Sequence, residues 1–215
     1  VVAGYSDNAS SYDFTLVRYN QNGSIDNSFG DAGKTVTSFG DENDTADEIA
    51  LQDDGKIVVV GSSFRDVALA RYTRYGILDS TFSSDGKVNT ENDSPFNYSL
   101  AIQKDHKIVV VGEIDSDIGL FRYNEDGSLD ISFGDNGKVT TDISGSFDRA
   151  DAVVIQEDGK IIVTGQTYGG PYADFPLLRY NQDGSLDSTF DFDGKLTTDF
   201  SNYNDEGYSI VLQPD

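Results

Sequence analysis

The chain contains no cysteine, methionine or tryptophan, a single histidine and only four prolines in its 215 residues. Without cysteine there is no disulfide framework and no thiolate-ligated metal. One histidine, His106, cannot build a multi-histidine metal site, and it is the sole imidazole base open to a Ser-His-Asp arrangement. Positive charge is scarce as well: 15 Lys and Arg stand against 38 Asp and Glu, a formal net charge of -23. Such a surface repels nucleic acid and anionic lipid, because phosphate binding needs clustered Lys and Arg, so neither is expected as a partner. It favours solubility and counter-cations instead. No apolar run approaches the roughly 20 residues that span a bilayer, so no membrane insertion is expected. With no initiator Met and no leader-like segment, Val1 reads as a processed or excised end. Helical periodicity is missing too: no window places apolar residues at i, i+3, i+4 and i+7 behind a cap.

What the chain does have is glycine, 22 of them, together with 12 Tyr and 13 Phe in an only 37% apolar sequence. That mixture suits short strands, each burying one face between tight turns. The glycines fall in a repeat. Leu16 to Gly30 reads Leu-Val-Arg-Tyr-Asn-Gln-Asn-Gly-Ser-Ile-Asp-Asn-Ser-Phe-Gly, and it returns at Leu69 to Ser83, Leu120 to Gly134 and Leu177 to Asp191. A Gly-Lys pair follows each copy, and the anchors Arg18, Arg71, Arg122 and Arg179 are spaced by 53, 51 and 57 residues. Four units of this size fill residues 1–215, which are expected to form one domain without linkers.

Each unit offers up to four strands. The first are Phe14 to Tyr19, Val67 to Tyr72, Ile118 to Tyr123 and Phe175 to Tyr180, in which Phe14, Leu16 and Arg18 share one face. The second follow Gly-Lys, at Lys34 to Phe39, Lys87 to Thr90, Lys138 to Asp142 and Lys195 to Phe200. The third are Ala46 to Gln52, Tyr98 to Gln103, Ala150 to Gln156 and Tyr208 to Gln213. The fourth, Lys56 to Gly61, Lys107 to Gly112 and Lys160 to Gly165, are almost continuous Val and Ile, as in strands covered on both faces. Asp54-Gly55 and Asp158-Gly159 between third and fourth strands predict hairpins with type I′ turns. His106 takes the glycine position in the third unit, which gives it a turn role rather than a catalytic or metal one.

This pattern predicts an all-β fold, a β-propeller of four repeats of about fifty residues with four antiparallel strands each. Val1 to Gly4 aligns with Val58 to Gly61, and Ile210 to Asp215 with Ile49 to Asp54. One hairpin is therefore split between the two ends, and pairing of Val1 to Gly4 with Ser209 to Leu212 is expected to close the ring.

The recurring Arg-Tyr-Asn, Gly-Ser-(Leu/Ile)-Asp, Ser-Phe-Gly, Gly-Lys and Gln-x-Asp-Gly-Lys-Ile-(Val/Ile)-Val-x-Gly segments resemble the delta-60 repeat, a bacterial β-propeller-like repeat of unknown function. The resemblance covers essentially the whole chain. It departs most at Thr73 to Gly76 and Ser83 in the second unit and at Asp191 in the fourth. It implies an exported or cell-surface bacterial protein and carries no catalytic residues to transfer.

Three sets of polar residues stand out. Arg18/Asp26, Arg71/Asp79, Arg122/Asp130 and Arg179/Asp187 recur eight residues apart and predict a strand-to-loop brace in each unit, because a buried guanidinium needs a carboxylate. The loops carrying Asn20, Asn22 and Asp26, Asn124, Asp126 and Asp130, and Asn181, Asp183 and Asp187 are oxygen-rich enough to suggest calcium, the one cofactor considered. Their spacing departs from the EF-hand pattern, and the same residues build plain Asx turns. Tyr168 and Tyr172, in a Gly-Gly-Pro insertion, are the candidate contact residues for a protein, a carbohydrate or another copy of the chain. The function expected is a non-enzymatic extracellular structural or binding module. The alternatives are a carbohydrate-active enzyme or a calcium-dependent binding propeller acting through acidic loop residues.

Overall fold

A computed structural model of the protein describes residues 1–92, 94, 97–201 and 203–213. These residues form fifteen β-strands and no helix, and so no helix long and apolar enough to cross a membrane. The strands make four antiparallel sheets in sequence. Strands β1 (Val2–Asp7), β2 (Tyr12–Val17) and β3 (Lys34–Thr37) form the first. The second is β4 (Asp44–Leu51), β5 (Ile57–Ser63), β6 (Asp66–Tyr72) and β7 (Lys87–Thr90). The third is β8 (Ser99–Ile102), β9 (Ile108–Ile114), β10 (Asp117–Tyr123) and β11 (Lys138–Thr141). The fourth is β12 (Asp148–Ile155), β13 (Ile161–Thr167), β14 (Phe175–Tyr180) and β15 (Lys195–Thr198). Four such meanders in succession are the strand organisation of a four-bladed β-propeller. Each four-stranded sheet joins the third and fourth strands of one sequence repeat to the first and second of the next, so every repeat straddles two sheets.

Burial follows the sequence pattern. Phe14 and Leu16 on β2 are fully buried, while Thr15 and Val17, which alternate with them, are partly exposed. The Val/Ile runs of β9 and β13 are buried at every position. The glycine that follows the Val/Ile run in β5 and in β13 has a packing reason. A Cβ on Gly61 would lie 1.9 Å from the Thr45 carbonyl oxygen, and one on Gly165 would lie 2.0 Å from that of Arg149. The outer strand can approach this closely only over a bare backbone, and it bulges there, between Ala46 and Glu48 and between Ala150 and Ala152.

The chain gathers into two compact units, Val1–Asn97 with Glu125–Ser128 and Tyr98–Asn124 with Leu129–Asp215. In the first, Phe14, Leu16, Phe29, Ile57, Val59 and Tyr72 form the core; in the second, Val109, Val111, Ile118, Leu120, Phe133 and Val163 do so with their neighbours.

Two expectations are corrected. The third-to-fourth-strand turns are not type I′. Positive φ falls on Gly55, His106 and Gly159 but not on the Asp before each. The Gly55 amide bonds the Gln52 carbonyl, and the Gln52 amide bonds that of Lys56. This is a three-residue hairpin in which a type I turn ends in a left-handed bulge residue. The Asp54 and Asp158 side chains favour it by accepting the Lys56 and Lys160 amides, so the Asp needs no left-handed conformation of its own. The second correction concerns closure. Strand β1 pairs with β2 alone, and residues 203–213 contain no strand, so the hydrogen-bonded pairing of Val1 to Gly4 with Ser209 to Leu212 does not form. Every other third strand pairs across a hairpin of a few residues. This copy would have to close a loop of nearly the whole chain, at a higher entropic cost. Pro214 and Asp215, also part of that alignment, lie outside the described residues.

Candidate functional site

Each of the four Arg side chains meets the Asp eight residues on. The Nε–Oδ2 distances are 2.8 Å for Arg18–Asp26, 2.8 Å for Arg71–Asp79, 2.7 Å for Arg122–Asp130 and 2.6 Å for Arg179–Asp187. The other carboxylate oxygen, Oδ1, accepts both the amide and the hydroxyl of Ser28, Thr81, Ser132 or Thr189. In three units a lysine from the hairpin also reaches Oδ2: Lys56 at 3.4 Å, Lys107 at 2.7 Å and Lys160 at 2.7 Å. Sequence reasoning missed this second cation, although Lys recurs beside every Asp-Gly or Asp-His turn. Beneath each guanidinium lies the Phe that follows this Ser or Thr, Phe29, Phe82, Phe133 or Phe190, with ring centroids 4.4 to 4.8 Å away.

These contacts fix the protonation of the carboxylates. Burial raises the Asp79 carboxyl, but the Thr81 hydrogen bonds and the charges of Arg71 and Lys56 outweigh it and bring it down to about 2. Asp130 is held well below the usual carboxylate range by Lys107, Ser132 and Arg122 acting against burial, and Asp187 by Lys160, Thr189 and Arg179. Asp26, without a lysine, is lowered mainly by its Ser28 hydrogen bonds.

The brace also reaches into the next repeat. Arg18 Nη1 donates to the Arg74 carbonyl and Arg71 Nη1 to that of Glu125, both at 2.5 Å; Arg122 Nη1 donates to the Gln182 carbonyl. One residue further along each accepting loop, a second bond runs in parallel. The amides of Gly30, Ser83 and Gly134 donate to the carbonyls of Tyr75, Asp126 and Asp183. The loop glycine completes the fit. Gly76, Gly127 and Gly184 lie so close to the rings of Phe29, Phe82 and Phe133 that a Cβ would come within 2.7 to 3.0 Å. Two tyrosines add a hydroxyl bond in the reverse direction, Tyr72 to Thr37 Oγ1 at 2.8 Å and Tyr180 to Thr141 Oγ1 at 2.9 Å. The recurrent polar motif of the repeat is thus a latch between neighbouring repeats. Its acceptors are backbone carbonyls, which any residue supplies, so residue type gave no signal for them.

The loop oxygens do not fit calcium. Asn22, Asp126 and Asp183 each use Oδ1 to accept the amide and hydroxyl of Ser24, Ser128 or Ser185. Asn20 and Asn181 point their amide nitrogens inward, at Ser24 Oγ and Ser185 Oγ, and Asn124 Nδ2 faces the Leu129 carbonyl. Asp26, Asp130 and Asp187 are engaged by the brace. These are Asx turns, and no set of free oxygens converges in them.

Carboxylates do converge elsewhere, at positions sequence reasoning passed over. Asp117, Asp142 and Asp148 bring one oxygen each within 4.8 Å of one another, as do Asp174, Asp199 and Asp205. Burial and then the neighbouring carboxylates hold Asp117 and Asp174 above the usual range. The third member of each group has a structural task. Asp148 accepts the Ile143 amide and Asp205 that of Phe200, as Asp44 accepts that of Phe39, fixing the turn that follows the second strand. The legible signal was an Asp ten residues after the Lys of Gly-Lys, at Asp44, Asp148 and Asp205.

Tyr168 packs on Phe147 at 6.1 Å between ring centroids and Tyr172 on Tyr203 at 5.8 Å; Tyr172 and Tyr203 are exposed. His106 has φ 65° in its turn, and its amide donates to the Gln103 carbonyl.

Comparison with known proteins adds the family and no activity. A solved protein of unknown function from Bacteroides caccae is 14% identical, with a TM-score of 0.49 over 81% of this chain and 55% of that one. The chain therefore spans little more than half the length of that protein. No curated protein matches it. The family described as "Domain of unknown function (DUF5122) beta-propeller" matches residues 1–29, 52–82, 103–133 and 156–190, each segment ending at or near the Ser/Thr-Phe of a latch. Those segments make up more than half of the chain, which belongs to this β-propeller repeat family.

Proposed function

We propose that the chain is a non-enzymatic structural and binding module of an exported or cell-surface bacterial protein, built from repeats of the delta-60 type. The observation that carries this reading is the saturation of the recurrent polar residues. Arg18, Arg71 and Arg122 spend their guanidinium hydrogen bonds on the chain itself, Arg179 does so through Nε and Nη2, and the four Asp partners are engaged in the same way, which is the behaviour of a scaffold. What remains for a partner is the variable loop surface. Tyr172 and Tyr203 present adjacent exposed rings suited to stacking on a sugar or anchoring a protein segment. The strongly acidic surface keeps such a module soluble.

The test is a glycan array and a panel of bacterial surface polysaccharides probed with the chain and with Tyr172→Ala. The reading expects binding without turnover, lost in Tyr172→Ala at an unchanged thermal midpoint. Hydrolysis of any glycan overturns it. A companion measurement addresses the calcium-dependent alternative. The thermal midpoint in millimolar Ca²⁺ is expected to match that in chelator, because the loop oxygens are engaged. A calcium-dependent rise, which mass action on a folded-state site produces, contradicts the purely structural reading of the acidic residues.

A further inference from the structure

The recurrent arginines and aspartates are spent on the fold, but one recurrent glutamine is not. Gln52, Gln103 and Gln156 each open a turn between a third and a fourth strand, where their backbone amides donate to the carbonyls of Lys56, Lys107 and Lys160. Their side chains have no comparable task. The Oε1 of each is buried and accepts no hydrogen bond among the described residues. A buried amide oxygen without a donor costs free energy, and an apolar side chain of similar size avoids that cost. The fold therefore gains nothing from an amide at this position, in three hairpins.

Two of these glutamines meet at one cleft. Within the second compact unit, β12 packs on β8 and β9, which sets the β8–β9 and β12–β13 turns side by side. Lys104 Nζ joins the two turns by donating to the Glu157 carbonyl at 3.0 Å. The cleft there measures about 200 Å³ and is lined by Gln103, Gln156, Asp105, Glu157 and Asp158, with Ile155 as its apolar side chain. Gln103 is only 9% exposed. Gln182, at the same cleft, turns its Nε2 to the Asp158 carbonyl at 2.7 Å. The donors thus face backbone carbonyls, and what the cleft offers a ligand is acceptors: two amide oxygens and three carboxylates against one lysine. Among the described residues no hydrogen bond holds the side-chain amide of Gln103 or Gln156. A half-turn about the terminal bond of either one presents Oε1 to the cleft without breaking a bond.

We propose that this cleft binds a primary alkylammonium group, the end of a lysine side chain or of a free polyamine, through Gln103 and Gln156. An ammonium carries three donors and no acceptor, which matches two amide oxygens and one carboxylate. Its methylene stem lies on Ile155, as the stems of long cationic side chains do on apolar surface. The surrounding acids add attraction without fixing a position. This site is separate from the aromatic loop surface and goes beyond it.

NMR titration of the 215-residue chain at physiological salt tests the proposal, with putrescine and with a lysine capped at both backbone ends as probes. The side-chain amide signals of Gln103 and Gln156 are expected to shift saturably with at least one of them. Equal affinities assign the ammonium to a lysine side chain; putrescine about tenfold tighter assigns it to a free polyamine. Capped norleucine, which lacks the charge, is expected to leave the signals in place. The double variant Gln103→Leu, Gln156→Leu keeps the net charge, so general attraction of cations to an acidic protein is unchanged. It is expected to hold or raise the thermal midpoint while weakening binding by about tenfold or more, since hydrogen bonds to a charged group are lost. If that variant fails to fold, the exposed Glu157→Gln decides, with binding expected to weaken about two- to fivefold. No saturable shift with either probe, equal binding of capped norleucine, or a folded double variant that binds as the wild type does overturns the proposal.

Discussion

At the residue scale, one carboxylate shows why the recurrent polar positions are tied to the fold. Asp79 receives Arg71 and Lys56 on one oxygen and Thr81 twice on the other, and the Arg71 side chain is only 2% exposed. Removing the acid strands a buried guanidinium, and breaking a buried pair in this way costs about 3–5 kcal/mol. Asp79→Ala should therefore lower the urea midpoint by a large fraction of the chain's stability. Asp26→Ala should cost less, because Asp26 lacks the second cation and sits in a more open pair. His106 offers the opposite case. It occupies the left-handed turn position that glycine fills at Gly55 and Gly159. His106→Gly is expected to be neutral or stabilising, within about 1 kcal/mol, since it relieves a side-chain clash at positive φ. A large loss on that substitution would reveal a role the turn does not explain. The brace was legible because Arg and Asp keep the same eight-residue spacing in all four repeats and their charges demand each other. Lys56, Lys107 and Lys160 were harder to read, since a lysine after Asp-Gly is also ordinary turn solvation.

At the element scale, the loop glycines separate contact from strain. Gly76 and Gly23 have nearly equal φ, 78° and 83°, so alanine is strained to a similar degree at both. Only at Gly76 does the new methyl meet a ring, that of Phe29 at 2.7 Å. Gly76→Ala should cost about 1–3 kcal/mol more than Gly23→Ala, the usual penalty for overpacking a close-packed site. Equal thermal shifts would mean that the Phe29–Gly76 contact is not a packed one. Strand positions were legible from alternation and from the Val/Ile runs. The turn type was not, because Asp-Gly serves both the two-residue and the three-residue hairpin, and the Asx bond from Asp54 to the Lys56 amide decides between them. Pairing of the last third-strand copy was misjudged because similarity of sequence places a strand's faces but not its partner.

At the scale of the whole molecule, the net charge of -23 and the latches make opposite demands on pH. Asp26, Asp79, Asp130 and Asp187 titrate below their ordinary value in the folded state. Their stabilisation is complete above that value, 3.8, and is lost as pH falls through the folded values, about 2 for Asp79. Asp44, Asp117 and Asp174 titrate above 3.8 in the folded state, so the relief of burying or crowding their charge is present in acid and disappears as pH rises through the folded values. General repulsion among the acids acts in the same direction. The thermal midpoint should therefore rise modestly as pH is lowered from 7 to about 4–5, then fall steeply below about 3. A midpoint that declines steadily from neutral pH would contradict that balance.

Repeat proteins owe their stability to each unit and to the contact with its neighbour, and here the neighbour contact is the latch. Its most direct test is native-state hydrogen exchange, followed by NMR, at four equivalent amides. In three of them, Gly30, Ser83 and Gly134, the amide donates across to the carbonyl of Tyr75, Asp126 or Asp183; in the fourth, Asp191, it has no carbonyl acceptor among the described residues. These sites lie in exposed loops, where exchange is ordinarily fast, so protection there reports the latch. The account predicts protection of Gly30, Ser83 and Gly134 close to that of the adjoining strands and rapid exchange at Asp191. Rapid exchange at all four amides, or protection that does not distinguish Asp191 from the rest, would contradict it.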